Sequence, residues 1–295
     1  MMVGIQSVMA QVAVAALHHE GNVTIYPAAK IQDAIDAAVK GDTLYLSEGV
    51  FGGFTIATPI AIIGAGQTTS ISTDVTIGKS GTTIEGGLLL SGLNFVQNVK
   101  NKYSIDGLRI IQCTIGGDLR FTHDSMIYSN IEVFFSHVKG EVDLYTSVKS
   151  LTVVNSKVFQ VGSNGATSGA VSFLNCNVKN SRSTYTGPDN VYSNCIVETV
   201  ASSTFLNCLY NTHSSGTLSN CYQTLFTLDE DLNSPLPDEE LRANGYLGTD
   251  GTVVGITGGS TPYTLVTPTK QVIEHNIEVD NAARKMKVTL KLGNK

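Results

Sequence analysis

A chain of 295 residues has room for one large domain or two small ones. Only 15% of its residues are charged, against the usual quarter, and the net charge is −6 with no basic run. That balance argues against a nucleic-acid partner, which needs clustered Lys and Arg. No window holds the ~18 apolar residues of a membrane-spanning helix.

Residues 1–24 open the chain. Val8-Met9-Ala10 before Gln11 has the form of a small-residue cleavage site, behind a short apolar stretch that lacks Lys and Arg. It reads as a truncated signal peptide, which places the expected location outside the cytoplasm: secreted, periplasmic or at the cell surface. "VAVAAL" at 12–17 reads as a first strand, and both readings hold if that strand begins the mature chain.

In "PAAKIQDAIDAAVKG", Ile31, Ala34, Ile35, Ala38 and Val39 fall on one helical face. Pro27 suits the helix start and Gly41 its end. A helix over 30–39 is predicted.

The next 170 or so residues repeat a short pattern. "FLNC" occurs at Phe173–Cys176 and again at Phe205–Cys208. "VVNS", "YSNC" and "LSNC" share its shape, and "IIQC" at Ile110–Cys113 has Gln for Asn. The asparagines stand at 155, 175, 194, 207 and 220, in steps of 20, 19, 13 and 13. Between them, "SLTVVNSKVFQV" and "AVSFLNCNV" alternate apolar and polar, which is strand patterning. Short strands at a short repeat, without helices between them, predict a parallel β-helix. Its coils should run from about Thr55 to Phe226, or about eight or nine turns.

Stacking explains the tetrapeptide. Asn tolerates the left-handed backbone of a sharp bend, and its amide can join an Asn ladder. The following residue turns inward and should be small and apolar. All five cysteines (113, 176, 195, 208, 221) occupy that slot, so buried, reduced thiols are expected rather than disulfides or a metal site. The turn near Ser136 or His137 has no readable register.

An open solenoid end exposes edge strands and core, so caps are needed. The 30–39 helix is the expected plug on the first coil. After Phe226, "LDEDLNSPLPDEELRANG" reads as an acidic connector. Calcium is the cation its carboxylates would take, and a solvated loop is the competing reading. "VIEHNIEVDNAARKMKVTLKL" reads as two strands around "DNAA", with Lys285, Lys287 and Lys291 on a half-exposed face. Three regions result: 1–24, a β-helix with its cap over 25–226, and a C-terminal loop, closing segment and hairpin over 227–295.

"IQDAIDAAVKGDTLYLSEGVFGGFTI" followed by "PIAIIGAG" resembles the N-terminal cap and first coil of pectin-lyase-like right-handed β-helix proteins. The tail "LGTDGTVVGITGGSTPYTL" at 247–265 is similar to a closing segment in secreted β-helix proteins of Bacteroidetes. The resemblance implies a right-handed parallel β-helix. It does not imply one function, because the superfamily holds lyases, hydrolases, esterases, tailspikes and non-catalytic adhesins.

The enzyme motifs are incomplete. Paired hydrolase carboxylates in Asn-Thr-Asp and Asp-Asp motifs are missing, as are His-Gly and Arg-Ile-Lys. "GEVDLY" at 140–145 is similar to the block that carries the nucleophilic Asp of pectin methylesterases, which would make Asp143 that nucleophile. The Gln-Ala and Arg-Pro-Trp elements are absent, in a chain with no Trp. One polar concentration remains: Asp118, Arg120, His123, Asp124, Glu132, His137, Glu141 and Asp143 lie within one or two coils. Stacked on one face they could do acid–base work or hold a cation; otherwise they form a solvated polar face.

Two classes therefore stand: a glycan-binding or adhesin-like module that contacts an extended polysaccharide, and a lyase or hydrolase with an atypical site. The incomplete motifs, low charge and missing Trp favour the first.

Overall fold

The computed structural model describes residues 12–121, 125–144, 148–163, 169–181, 190–263, 271–280 and 285–293. The cleavage-like site at 8–10 lies outside them.

The coiled region is an all-β parallel solenoid. Its first sheet has twelve strands, of which ten, from Thr43–Leu46 to Thr217–Ser219, run parallel. The second sheet has fourteen. Over the early coils it forms two rows, which merge at the strand His137–Leu144. Val153, Phe173, Tyr192, Phe205 and Leu218 are successive register partners, so the coil length contracts as the asparagine spacing does. The stack starts at Thr43 rather than Thr55, because "TLYL" already pairs in parallel with Ala61–Ile63. Its Leu44 and Leu46 alternate inward as strand residues should.

Each repeat asparagine bends the chain in the left-handed region: Asn155 at φ 43°, Asn175 at 51°, Asn194 at 55°, Asn207 at 50° and Asn220 at 51°. Gln112 holds the same place at 53° and Phe135 at 49°. The unread turn thus falls one residue before Ser136. Phe is a costly residue there, which is why the pattern hid it.

The inward slot after the bend takes the small residues expected of it, cysteine and serine, and these also make hydrogen bonds there. Ser136 and Ser156 are fully buried in it beside the cysteines. Each side chain donates to the carbonyl two residues back: Ser156 Oγ to Val154 at 2.8 Å, Cys195 Sγ to Ser193 at 3.2 Å. Each can also accept an amide from the adjoining coil, as Ser156 Oγ does from Ser136 N at 3.1 Å. Ser and Cys share the slot because both can do this. All five cysteines are free thiols, four buried and Cys221 half-buried on the last coil. Beside them Phe173, Tyr192 and Phe205 stack face to face, with centroids 4.6 and 4.8 Å apart.

Among the described residues no hydrogen bond joins the side-chain amide of one repeat asparagine to that of another, so the expected Asn ladder is not seen there. Asn155 and Asn194 hold the closing segment instead. Asn155 Nδ2 donates to the Ile256 and Gly258 carbonyls at 3.3 and 2.9 Å. Asn194 Oδ1 accepts the Thr249 amide at 3.2 Å, and the Asn194 carbonyl accepts Gly255 N at 2.8 Å. Gly255 and Gly259 pass so close that a Cβ would lie 2.6 Å from Asn177 Oδ1 and 2.4 Å from Asn175 Nδ2. Glycine fits where backbone must approach amides this tightly.

The predicted helix spans Ile31–Ala37, shorter than 30–39, behind a 3₁₀ turn at Ala28–Lys30. Ile31, Ala34, Ile35 and Ala38 join the solenoid core. Val39 does not, because the backbone turns extended at Ala38 and leaves Val39 exposed. The strands Val14–His19 and Asn22–Pro27 add an antiparallel pair to the edge of the first sheet.

The acidic stretch after Phe226 keeps its carboxylates exposed, as a solvated connector would, but its leucines are packed. Leu228, Leu232 and Leu241 pack with Val253 and Val254 on Ile196 and Leu209 in a second core. Asp238–Ala243 forms a short helix. Residues 266–295 form a separate unit whose described part is an antiparallel pair, Gln271–Asp280 with Lys285–Gly293. The alternation predicted for the Lys285, Lys287 and Lys291 side chains lies outside what is described.

Candidate functional site

Four of the predicted residues meet on the second sheet. Arg120 is the register partner of Asp143, and Lys100 is the partner of Arg120 on its other side. Arg120 Nε donates to Asp118 Oδ2 at 3.0 Å. Asp118 Oδ1 accepts the Glu141 amide at 2.8 Å, and the Asp118 amide donates to Asn98 Oδ1 at 2.8 Å. One coil earlier, Asp74 Oδ1 accepts both the backbone and the side-chain amide of Asn98, at 3.0 and 2.8 Å. Asp74, Asn98 and Asp118 therefore tie coil to coil with their side chains, and Asp74 also pairs with Lys100. The Lys100 ammonium is the main reason the Asp74 carboxyl sits below its usual range. Asp143 moves the other way: burial first, then the Glu141 charge, raise it to about 6. A carboxyl that holds its proton into the mildly acidic range is suited to acid–base work.

The other predicted residues are elsewhere. Glu132 lies on the first sheet, where it accepts from Arg109 Nε at 2.8 Å. His137 opens the strand that carries Glu141 and Asp143, but it is buried, and Lys139, Lys157, Asp229 and Asp231 are the charges that act on it. His123 and Asp124 lie outside the described residues. Among the described residues no group of three or more His, Cys, Asp and Glu side chains could hold a metal ion.

A recess on the first sheet escaped the sequence reading. Phe134, Val154, Leu174 and Ser193 are successive register partners at the ends of their strands. Phe134, Phe135 and Leu174 line a cavity of about 450 Å³ with Asn155, Asn175 and Asp250. The Arg109 guanidinium lies 5.8 Å from the Phe134 ring centroid. Asn175 Oδ1 is buried without a hydrogen-bond partner. The only signal in the sequence was apolar residues just before the turns. The closing segment, which supplies Asp250 and Gly259, was invisible as a wall.

Comparison of the chain with protein-family models, with curated proteins and with solved structures returns no match.

Proposed function

We propose that this protein binds an extended glycan without cleaving it, and that the Phe134 recess receives one sugar ring. The observation that carries the reading is an apolar floor set beside an unpartnered buried amide oxygen, Asn175 Oδ1. A pyranose has an apolar C–H face and a rim of hydroxyls. Phe134 and Leu174 suit the face, and Asn175 and Asp250 accept from hydroxyls. A rigid parallel-stranded surface adds little ordering cost when a long polymer lies along it. The same reading makes the coil a right-handed, pectin-lyase-like solenoid with Ile31–Ala37 as its N-terminal cap, exported to the cell surface or beyond.

The test is retention of neutral and acidic oligosaccharides by the full chain, scored together with new reducing or unsaturated ends. Phe134→Ala should weaken retention about tenfold, equivalent to about 1.4 kcal/mol. Retention unchanged by Phe134→Ala would remove the recess from the reading. A second reading, a lyase or hydrolase, draws on the raised carboxyl of Asp143 beside Glu141 and Arg120. It requires new chain ends that vanish with Asp143→Asn.

A further inference from the structure

On the second sheet, Asn94, Thr114, His137, Lys157 and Asn177 are successive register partners, each opening its strand. Beyond them the column becomes Ile196 and Leu209, sealed under the C-terminal core. The covering chain reaches the polar part through Leu232, whose carbonyl accepts Asn177 Nδ2 at 2.8 Å, and through Asn233, whose Oδ1 accepts Lys157 Nζ at 2.6 Å. There the cover stops. A cavity of about 520 Å³ remains, lined by Thr114, His137, Lys139, Lys157, Asp231 and Val96 among others.

Two buried groups in this lining lack a partner: Thr114 Oγ1 and His137 Nε2. Thr114 is 6% exposed and His137 3%. A buried polar atom without a partner is costly, and two on adjacent coils in the lining of one cavity mark a place where a ligand supplies what the protein does not. Lys157, a residue only 7% exposed, adds an ammonium. It has three donors, one of them given to Asn233.

We infer that this cavity binds the carboxylate of a small organic acid, whose oxygens accept from Thr114 Oγ1, His137 Nε2 and the Lys157 ammonium. All three can donate, with the imidazole neutral and its hydrogen on Nε2. Burial, then Lys157 and Lys139, hold that ring neutral, with its pKa lowered to about 4. The charge balance favours a monoanion over a dianion. Asp231 lies 3.6 Å from Lys139, and Asp231 and Asp229 also act on Lys157, so two carboxylates offset two ammoniums and a dianion such as phosphate meets twice the repulsion of a monoanion. The exposed Val96 side offers apolar surface for the acid's carbon body. This site stands apart from the Phe134 recess and does not depend on it.

The experiment follows the His137 ring nitrogens of the full chain by NMR during titration with sodium acetate, N-acetyl-alanine and inorganic phosphate. Acetate or N-acetyl-alanine should shift the ring saturably with Kd of about 1–10 mM. Tighter binding of acetate identifies a free acid as the source, and tighter binding of N-acetyl-alanine identifies a larger molecule's acid group. Thr114→Val, which keeps the side-chain shape, should weaken either about fivefold, the loss of one hydrogen bond. A ring that does not respond to either carboxylate in the unmodified protein overturns the assignment, as does phosphate binding tighter than both. Equal affinity in a folded Thr114→Val protein does the same.

Discussion

The Cys176 amide donates to the Sγ of Cys195, its counterpart on the neighbouring coil, at 3.4 Å. Cys195 Sγ in turn donates to the Ser193 carbonyl at 3.2 Å. The thiol is therefore a hydrogen-bonding link between coils, like the hydroxyl of Ser156. Burial holds the Cys195 and Cys208 thiols far above their ordinary pKa and pushes Cys113 up to about 12, so none of these three forms the reactive thiolate.

Cys195→Ser should therefore lower stability by less than about 1 kcal/mol. Cys195→Ala should lower it by about 1–3 kcal/mol, because the buried Cys176 amide loses its acceptor. Urea unfolding with fixed m-value separates them. An Ala variant as stable as the Ser variant would leave the slot purely steric. Titration with a thiol reagent should find five groups after denaturation without reductant, and at most Cys221 readily before it.

How much of this was readable depends on the range over which the signal acts. Strands such as Ala170–Leu174 announce themselves by alternation, and Asn175 by its bend, because both are local preferences. The turn at Phe135 was hidden, since coil stacking there overrides what the residue prefers alone. The candidate sites were less readable still. Asp118, Arg120, Glu141 and Asp143, close in sequence, do meet on the second sheet, yet Glu132 lies on the first sheet and His137 is buried at the start of its strand. One side of each cavity comes from residues 229–261, whose contacts with Asn155, Lys157 and Asn177 span 50 residues or more. No periodicity encodes such a contact.

Asn155 tests whether those contacts hold the closing segment. Asn155→Ala leaves the Ile256 and Gly258 carbonyls without their side-chain donor. Amide exchange should accelerate at residues 255–259 by about tenfold while the coil strands keep their protection, because opening is local. Acceleration spread evenly over the coils would contradict a local strap.

The helix Ile31–Ala37 offers a second stability test. Ile35 is 3% exposed within the main core. Ile35→Ala should cost about 2–5 kcal/mol, and Ile35→Asp should yield aggregated protein, as expected if the helix covers the end of the core. A soluble Asp variant with unchanged melting would remove the capping role.

The pH dependence has a defined sign at His137. Its folded pKa of about 4 lies below the ordinary 6.5, so between these values the unfolded chain binds the extra proton. Stability from the neutral buried ring is complete above about pH 6.5 and is lost as pH falls toward 4, by up to about 3 kcal/mol. His137→Asn should flatten that acid loss between pH 7 and 5 in urea unfolding. An equally steep loss in the variant would assign the acid limb to other groups.

Asp143 decides between binding and cleavage. Its carboxyl is raised to about 6, so the folded protein holds a proton between the ordinary 3.8 and 6 that the unfolded chain has lost. Stability from this group therefore falls as pH rises through that window, opposite in sign to His137. Asp143→Asn keeps the shape and removes the titration, so the variant should gain slightly at pH 7, by less than about 1 kcal/mol given that the group is only partly buried. If the protein only binds glycans, retention by Asp143→Asn should equal that of the unmodified chain at pH 5 and pH 7, with no new chain ends in either. If Asp143 is a general acid, chain ends should accumulate faster at pH 5 than at pH 7 and fall at least a hundredfold in the variant. That second result, obtained with the Phe134 recess intact, would replace the binding proposal with an enzymatic one centred on Asp118, Arg120, Glu141 and Asp143.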